Sequence, residues 1–124
     1  MNIGVKLQRL KNEDFIWIIY FFIAIAAIIS NIYERNFNLT NNINSQKKFK
    51  TINIAIFIIV FFIYLYFVLI NYEDVKTLRK EATKKEVITS HLALIASLLF
   101  LIGGLIFVFV EINRDTPNED VGII

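Results

Sequence analysis

The chain of 124 residues contains no cysteine, one proline, one histidine and four glycines. Without cysteine it has no disulfide, thiolate metal ligand, cysteine nucleophile or palmitoylated thiol. A single histidine excludes the two-histidine zinc motif and leaves no ordinary Ser-His-Asp group. The formal charge of +2 is too small to indicate a nucleic-acid partner. These absences argue against an enzyme, and they predict no cofactor and no metal site.

Charge is also absent from three apolar stretches, at residues 15–33, 51–72 and 92–110. Each approaches the ~20 residues with which a helix crosses a hydrocarbon core of ~30 Å. The middle stretch is apolar on every side, which is typical of a helix surrounded by lipid. The hydrophobic fraction of 56% is high for a water-soluble chain. We therefore predict an all-α integral membrane protein with three transmembrane helices in a small antiparallel bundle.

We expect one membrane domain over residues 1–124, with transmembrane helices at about 15–33, 51–72 and 88–112, loops at 34–50 and 73–87, and an acidic tail at 113–124. The first loop is rich in asparagine and has little hydrophobic periodicity. The second contains good helix formers, and Glu81 and Lys85 have the spacing of a favourable helical pair. The second helix is therefore expected to extend past Tyr72 into water. In the tail, Pro117 prevents helix continuation.

Residues 1–14 have two interpretations, a surface-lying amphipathic turn or a partly ordered, solvated tail, and we prefer the tail. The first span also allows two interpretations. It resembles a cleavable signal peptide, with Ala24-Ile25-Ala26 as the cleavage site. Glu13 and Asp14 directly before the apolar core, and the continuation of this core to Ile29, favour retention as a membrane helix.

Small residues recur along the first and third spans. In the third span Ser90, Ser97 and Gly104 follow one another at intervals of seven residues. Such a strip lets a second helix approach closely, so we expect the first and third spans to pack together. Whether the strip serves folding or dimerisation is left open. The predicted packing face consists of Ala24, Ala27, Asn31, Ser90, Ser97, Gly103 and Gly104.

The second span offers few polar side chains that a neighbouring helix could bind. Asn53 shares its expected depth with Asn31, and Tyr64 shares its depth with Ser97. We predict an interhelical hydrogen bond for each pair, worth about 0.6 kcal/mol. No Lys, Arg, Asp or Glu interrupts the three stretches. This absence argues against a proton-coupled transporter, because intramembrane charge usually marks an ion pathway.

The distribution of basic residues predicts the orientation in the membrane. The N-terminal segment and the second loop carry eight Lys and Arg residues, against five in the first loop and the tail. The positive-inside rule then places the N-terminus and residues 73–87 in the cytoplasm and the C-terminus outside. Lys47, Lys48 and Lys50, which crowd the start of the second span, oppose this assignment.

The leading functional hypothesis is a non-enzymatic accessory subunit or interaction scaffold. It would lie in the lipid bilayer and contact a membrane-protein partner or a second copy of itself. One alternative is an oligomeric pore former, since the chain is similar to phage holins in size and number of spans, although its tail is acidic rather than basic. The other alternative is a membrane immunity protein that protects against a toxin.

Overall fold

The computed structural model describes residues 3–113, which form three α-helices and no strand. The helices are α1 (Ile3–Thr40), α2 (Ile43–Lys76) and α3 (Lys84–Asn113). Each is long and apolar enough to cross a membrane. The predicted all-α class with three membrane-spanning helices is confirmed. The predicted acidic tail lies outside the described residues, apart from Asn113.

The helices extend beyond the charge-free stretches that predicted them. At 1.5 Å per residue, α1 is ~57 Å long, α2 ~51 Å and α3 ~45 Å, against ~40–45 Å for a whole bilayer. α1 begins at Ile3, so the prediction of a partly ordered tail before the first span is wrong. A hydrogen bond of 3.2 Å from the Gln8 amide to Asn12 joins adjacent turns of this N-terminal part.

The chain divides within α2 into two units, Met1–Ile56 and Phe57–Ile124. In the first unit, α1 packs antiparallel against the start of α2. The rings of Phe37 and Phe49 lie 6.2 Å apart between these helices, and Phe49 is buried. Buried polar side chains, Ser30 on α1 and Asn53 on α2, lie farther along the same contact. This unit is therefore a helical hairpin with a mixed apolar and polar interface.

Two asparagines make the turn of this hairpin. Asn41 has a φ of 53° and donates its backbone N–H to the Phe37 carbonyl at 2.7 Å, which ends α1. Asn42 accepts the Asn44 N–H on its side-chain oxygen at 2.9 Å, which begins α2. Asparagine suits both positions, because it tolerates the left-handed conformation and is a strong N-cap. The prediction of a loop over residues 34–50 is therefore wrong outside Asn41 and Asn42.

In the second unit, the part of α2 from Phe57 onward is followed by α3. α2 continues past Tyr72, as predicted, and ends at Lys76. The Thr83 hydroxyl then accepts the Glu86 N–H at 3.1 Å. Thr83 and Glu86 have the Thr-x-x-Glu spacing of a capping box, so α3 begins there. The prediction that Glu81 and Lys85 pair on one helix is wrong, because residues 77–83 form the connection.

Candidate functional site

An antiparallel seam of side chains joins α2 and α3 in the second unit. The rings of Phe57 and Phe107 are stacked with centroids 5.8 Å apart, and those of Tyr64 and Phe100 lie 5.5 Å apart. Next along the seam, the Asn71 amide donates to the backbone carbonyl of Ala93 at 3.3 Å. Successive contacts are separated by seven residues on each helix. This repeat is typical of helices that cross at a shallow angle.

Two apolar cavities lie along this seam and share the Tyr64 and Phe100 side chains as a wall. One has a volume of about 390 Å³ and the other about 530 Å³. Exposed Leu99 and Phe100 flank the first cavity, which we call the α2–α3 groove. The groove is lined by Phe57, Val60, Tyr64, Ala96, Leu99, Phe100, Gly103, Gly104 and Phe107.

The two glycines of the groove have different surroundings. A Cβ atom added to Gly104 would lie 3.0 Å from Cδ2 of Tyr64, whereas one added to Gly103 would meet nothing within 4 Å. Gly104 is thus required for close contact with α2. The small-residue strip of the third span was predicted to pack against the first span. At Gly104, however, the nearest side chain is that of Tyr64 on α2. Gly103 opens into the groove and is not needed for this contact.

Tyr64 and Ser97 do not form the predicted hydrogen bond. The Ser97 hydroxyl donates to the Leu94 carbonyl of its own helix at 2.9 Å. The Tyr64 ring instead packs against Phe100 and over Gly104. Both residues line the second cavity, so they lie at a similar depth. Depth alone does not determine the direction in which a side chain points.

Asn53 forms its hydrogen bond with Ser30 and not with the predicted partner, Asn31. The Ser30 hydroxyl lies 2.5 Å from Oδ1 of Asn53 and 3.3 Å from the Phe49 carbonyl. Ser30 is 1% exposed and Asn53 3% exposed, while Asn31 is exposed. The predicted Asn31–Asn53 pair is therefore wrong by one residue, which is about 100° of rotation around α1. Within residues 3–113 no buried side-chain nitrogen or oxygen lacks a hydrogen-bond partner.

The remaining residues of the predicted packing face are less buried. On α1, Ala24 is exposed and Ala27 half-buried, and Ser30 occupies the contact that was expected of Asn31. On α3, Ser90 and Gly103 are half-buried, whereas Ser97 and Gly104 are buried.

Polar contacts continue between α1 and α2 toward the hairpin turn. The Asn36 amide donates to the Ser45 hydroxyl at 2.7 Å, and Ser45 is buried. The Lys48 ammonium lies 5.2 Å from the centroid of the Tyr33 ring, a cation–π arrangement. These contacts explain why residues 34–50 are helical, since each arm of the hairpin stabilises the other.

Glu111 is a buried residue that the sequence pattern was not used to predict. Glu111 was placed near the end of the third helix, at the membrane edge, but its side chain is only 1% exposed. A signal was available, because the seven-residue spacing of Ser90, Ser97 and Gly104 next reaches Glu111. The buried residues of α3 are Ser97, Gly104 and Glu111, which follow this spacing.

His91 is exposed, and its Nδ1 lies 2.7 Å from the Val87 carbonyl one turn earlier. In the described part of the chain, no three His, Asp or Glu side chains are grouped so that they could hold a metal ion. Comparisons of the chain with protein-family models, curated protein sequences and solved structures found no significant match. The site must therefore be interpreted from its own geometry.

Proposed function

We propose that the protein is a non-enzymatic membrane protein that acts through helix contacts, as an accessory subunit or a small scaffold. The open α2–α3 groove at Gly103 carries this proposal. Gly103 makes no close contact within the chain, because an added Cβ would meet nothing within 4 Å, and it therefore leaves room for the backbone of another helix. Small residues at such a surface are typical of close helix association in membranes.

The lining of the groove supports contact rather than chemistry. Its side chains are aromatic or aliphatic, and the Tyr64 hydroxyl is the one polar side-chain group among them. Ala96 and Gly103 are one heptad apart on α3 and make a smooth floor between bulkier neighbours. A transmembrane helix of a partner protein would bury this floor and the exposed Leu99 side chain, which is 65% exposed.

Site-specific crosslinking in native membranes tests the proposal, and the absence of cysteine from the chain makes single-cysteine variants unambiguous. Leu99→Cys at the rim of the groove, modified with a photoactivatable maleimide, is expected to capture a stoichiometric second protein that survives purification in mild detergent. Leu105→Cys is the matched control, because Leu105 is 56% exposed and lies about 160° around the helix from Gly103. It should capture substantially less.

Two results would contradict the accessory-subunit proposal. Recovery of only a crosslinked dimer or larger oligomer of this chain would favour self-association, and dye leakage on expression would then identify a pore former. Equal crosslinking from positions 99 and 105 would show that the groove has no particular partner. Protection of a toxin-sensitive strain by expression of the chain would support the immunity-protein alternative.

We also propose that the N-terminus and the connection between α2 and α3 face the cytoplasm, with the C-terminus outside. The basic connection at residues 77–83 and the adjacent Lys84 and Lys85 support this orientation. Lys80→Cys should be protected from a membrane-impermeant maleimide in intact cells, and Asn42→Cys at the hairpin turn should be labelled. The opposite labelling pattern would reverse the orientation.

A further inference from the structure

The first three turns of α1 carry an apolar stripe on their outer side. Ile3, Leu7 and Leu10 follow one another at spacings of four and three residues, which places them on one side of the helix. They are 75%, 59% and 48% exposed. Gln8 lies on the other side, where its amide binds Asn12. The N-terminal part of α1 is therefore amphipathic, and its apolar side is uncovered.

The length of α1 places this stripe beyond the lipid. Phe15 is the first residue of the charge-free stretch, and along the helix axis Leu10 lies ~7.5 Å, Leu7 ~12 Å and Ile3 ~18 Å further out. The headgroup layer is only ~5–7 Å thick on each side of the hydrocarbon core. A tilt of ~40°, the upper limit for transmembrane helices, shortens these distances by about a quarter. Leu7 and Ile3 therefore project past the headgroups, where lipid does not cover them.

Lysines determine which partner fits the stripe. Lys6 and Lys11 are both exposed and lie about 70° to either side of it. These are the edge positions whose charges select the partner in paired helices. A second copy in the same membrane orientation would be parallel and would bring its Lys11 beside Lys6. That repulsion disfavours self-pairing and favours a partner with carboxylates at the facing positions.

We propose that this stripe, formed by Ile3, Leu7 and Leu10 with Lys6 and Lys11 at its edges, docks an acidic amphipathic helix of a partner protein. The contact would lie in water, beyond the lipid headgroups on the side of the N-terminus. The inference rests on the proposed contact function and names the chemistry of a partner. Glu13 and Asp14 follow directly and end the stripe at the membrane edge. The docking helix therefore covers about two turns, from Ile3 to the outer edge of the headgroups at Leu10.

Peptide binding to the full chain in phosphatidylcholine nanodiscs tests the inference. The probe is a synthetic helix with leucine at the heptad a and d positions and glutamate at e and g, and a lysine version serves as its counterpart. The glutamate peptide is expected to bind about tenfold more tightly than the lysine peptide. The double variant Lys6→Glu, Lys11→Glu should reverse this preference. Leu7→Ser with Leu10→Ser should abolish binding, whereas Gln8→Ala should not change it.

Equal binding of both peptides, or an unchanged preference after charge reversal, would overturn the inference. Reversal is a gain of binding to the lysine peptide, so an unfolded variant cannot mimic it. Maleimide labelling of Leu7→Cys distinguishes the membrane as the occupant, because labelling much slower than that of Gln8→Cys would show that lipid covers the stripe. Crosslinking from Leu99 in the α2–α3 groove is independent of this segment, so a partner captured there without peptide binding would refute only the present inference.

Discussion

Gly103 and Gly104 are adjacent in α3, yet their replacement by alanine is expected to have different consequences. An added Cβ at Gly104 lies 3.0 Å from Cδ2 of Tyr64, against the ~3.5–4.0 Å of a normal carbon contact. The Tyr64 ring has to move by about 0.5 Å, and this movement also changes its packing against Phe100, whose ring centroid lies 5.5 Å away. Overpacking of this kind costs about 1–3 kcal/mol. At Gly103 the added atom meets nothing within 4 Å.

The comparison isolates packing because both variants gain the same helix propensity, about 0.5–1 kcal/mol in a soluble helix. We therefore expect Gly104→Ala to be less stable than Gly103→Ala by about 1–3 kcal/mol. The free energy of unfolding would be measured by denaturant titration in detergent, with helix content followed by circular dichroism. Tyr64→Leu in the Gly104→Ala background should recover part of the loss, since it removes the contacted ring.

Equal stability of the two alanine variants would refute the close contact between Gly104 and Tyr64. A loss at Gly104 that Tyr64→Leu does not relieve would show that another part of the structure is strained. The same two variants also separate folding from function. Gly103→Ala should leave the isolated protein intact but weaken capture of the partner in the groove, because the added methyl group occupies the open floor.

Three further predictions use the same unfolding measurement. Ser30→Ala should destabilise the protein by about 0.5–1.5 kcal/mol because it removes a buried hydrogen bond to Asn53, and Asn31→Ala at an exposed position should change stability little; an equal loss for both would contradict the pairing. Asn41→Gly should be tolerated, whereas Asn41→Ala should cost about 1 kcal/mol because the φ of 53° disfavours residues with a Cβ; identical values would show that the turn relaxes. Tyr64→Phe should leave stability unchanged, since Ser97 donates to Leu94 instead; a clear loss would restore the predicted bond.

Local signals predicted much of this fold because their physical cause is local. A long apolar run without charge favours a membrane-spanning helix whichever helices pack beside it. Lipid offers no hydrogen bonds to the backbone N–H and C=O groups, so the segment has to form them within itself. The Asn41-Asn42 pair marks a turn because of its own conformational preferences. The capping box at Thr83 was equally local, but the helix formers around it concealed the signal. Helix type was thus predictable, whereas the helix ends were missed because neither the asparagine turn nor the cap was recognised.

The partners of the candidate site residues were less predictable. Depth along the membrane normal correctly brought Asn53 to the level of residues 30 and 31, but the choice between them depends on rotation of α1. Spacing identified Ser97 and Gly104 as members of one strip and did not show which helix they face. Glu111 follows the same spacing, but its charge argued against including it in the packing face.

Composition and hydrophobic patterning were enough to predict the membrane class and the three helices, because these properties depend on the chemistry of contiguous residues. The pairing of Ser30 with Asn53, the contact of Gly104 with Tyr64 beside an open Gly103, and the burial of Glu111 became clear from the folded structure alone. These outcomes depend on the rotation of each helix about its axis. Residues that are one position apart share almost the same depth and hydropathy, yet they point about 100° apart.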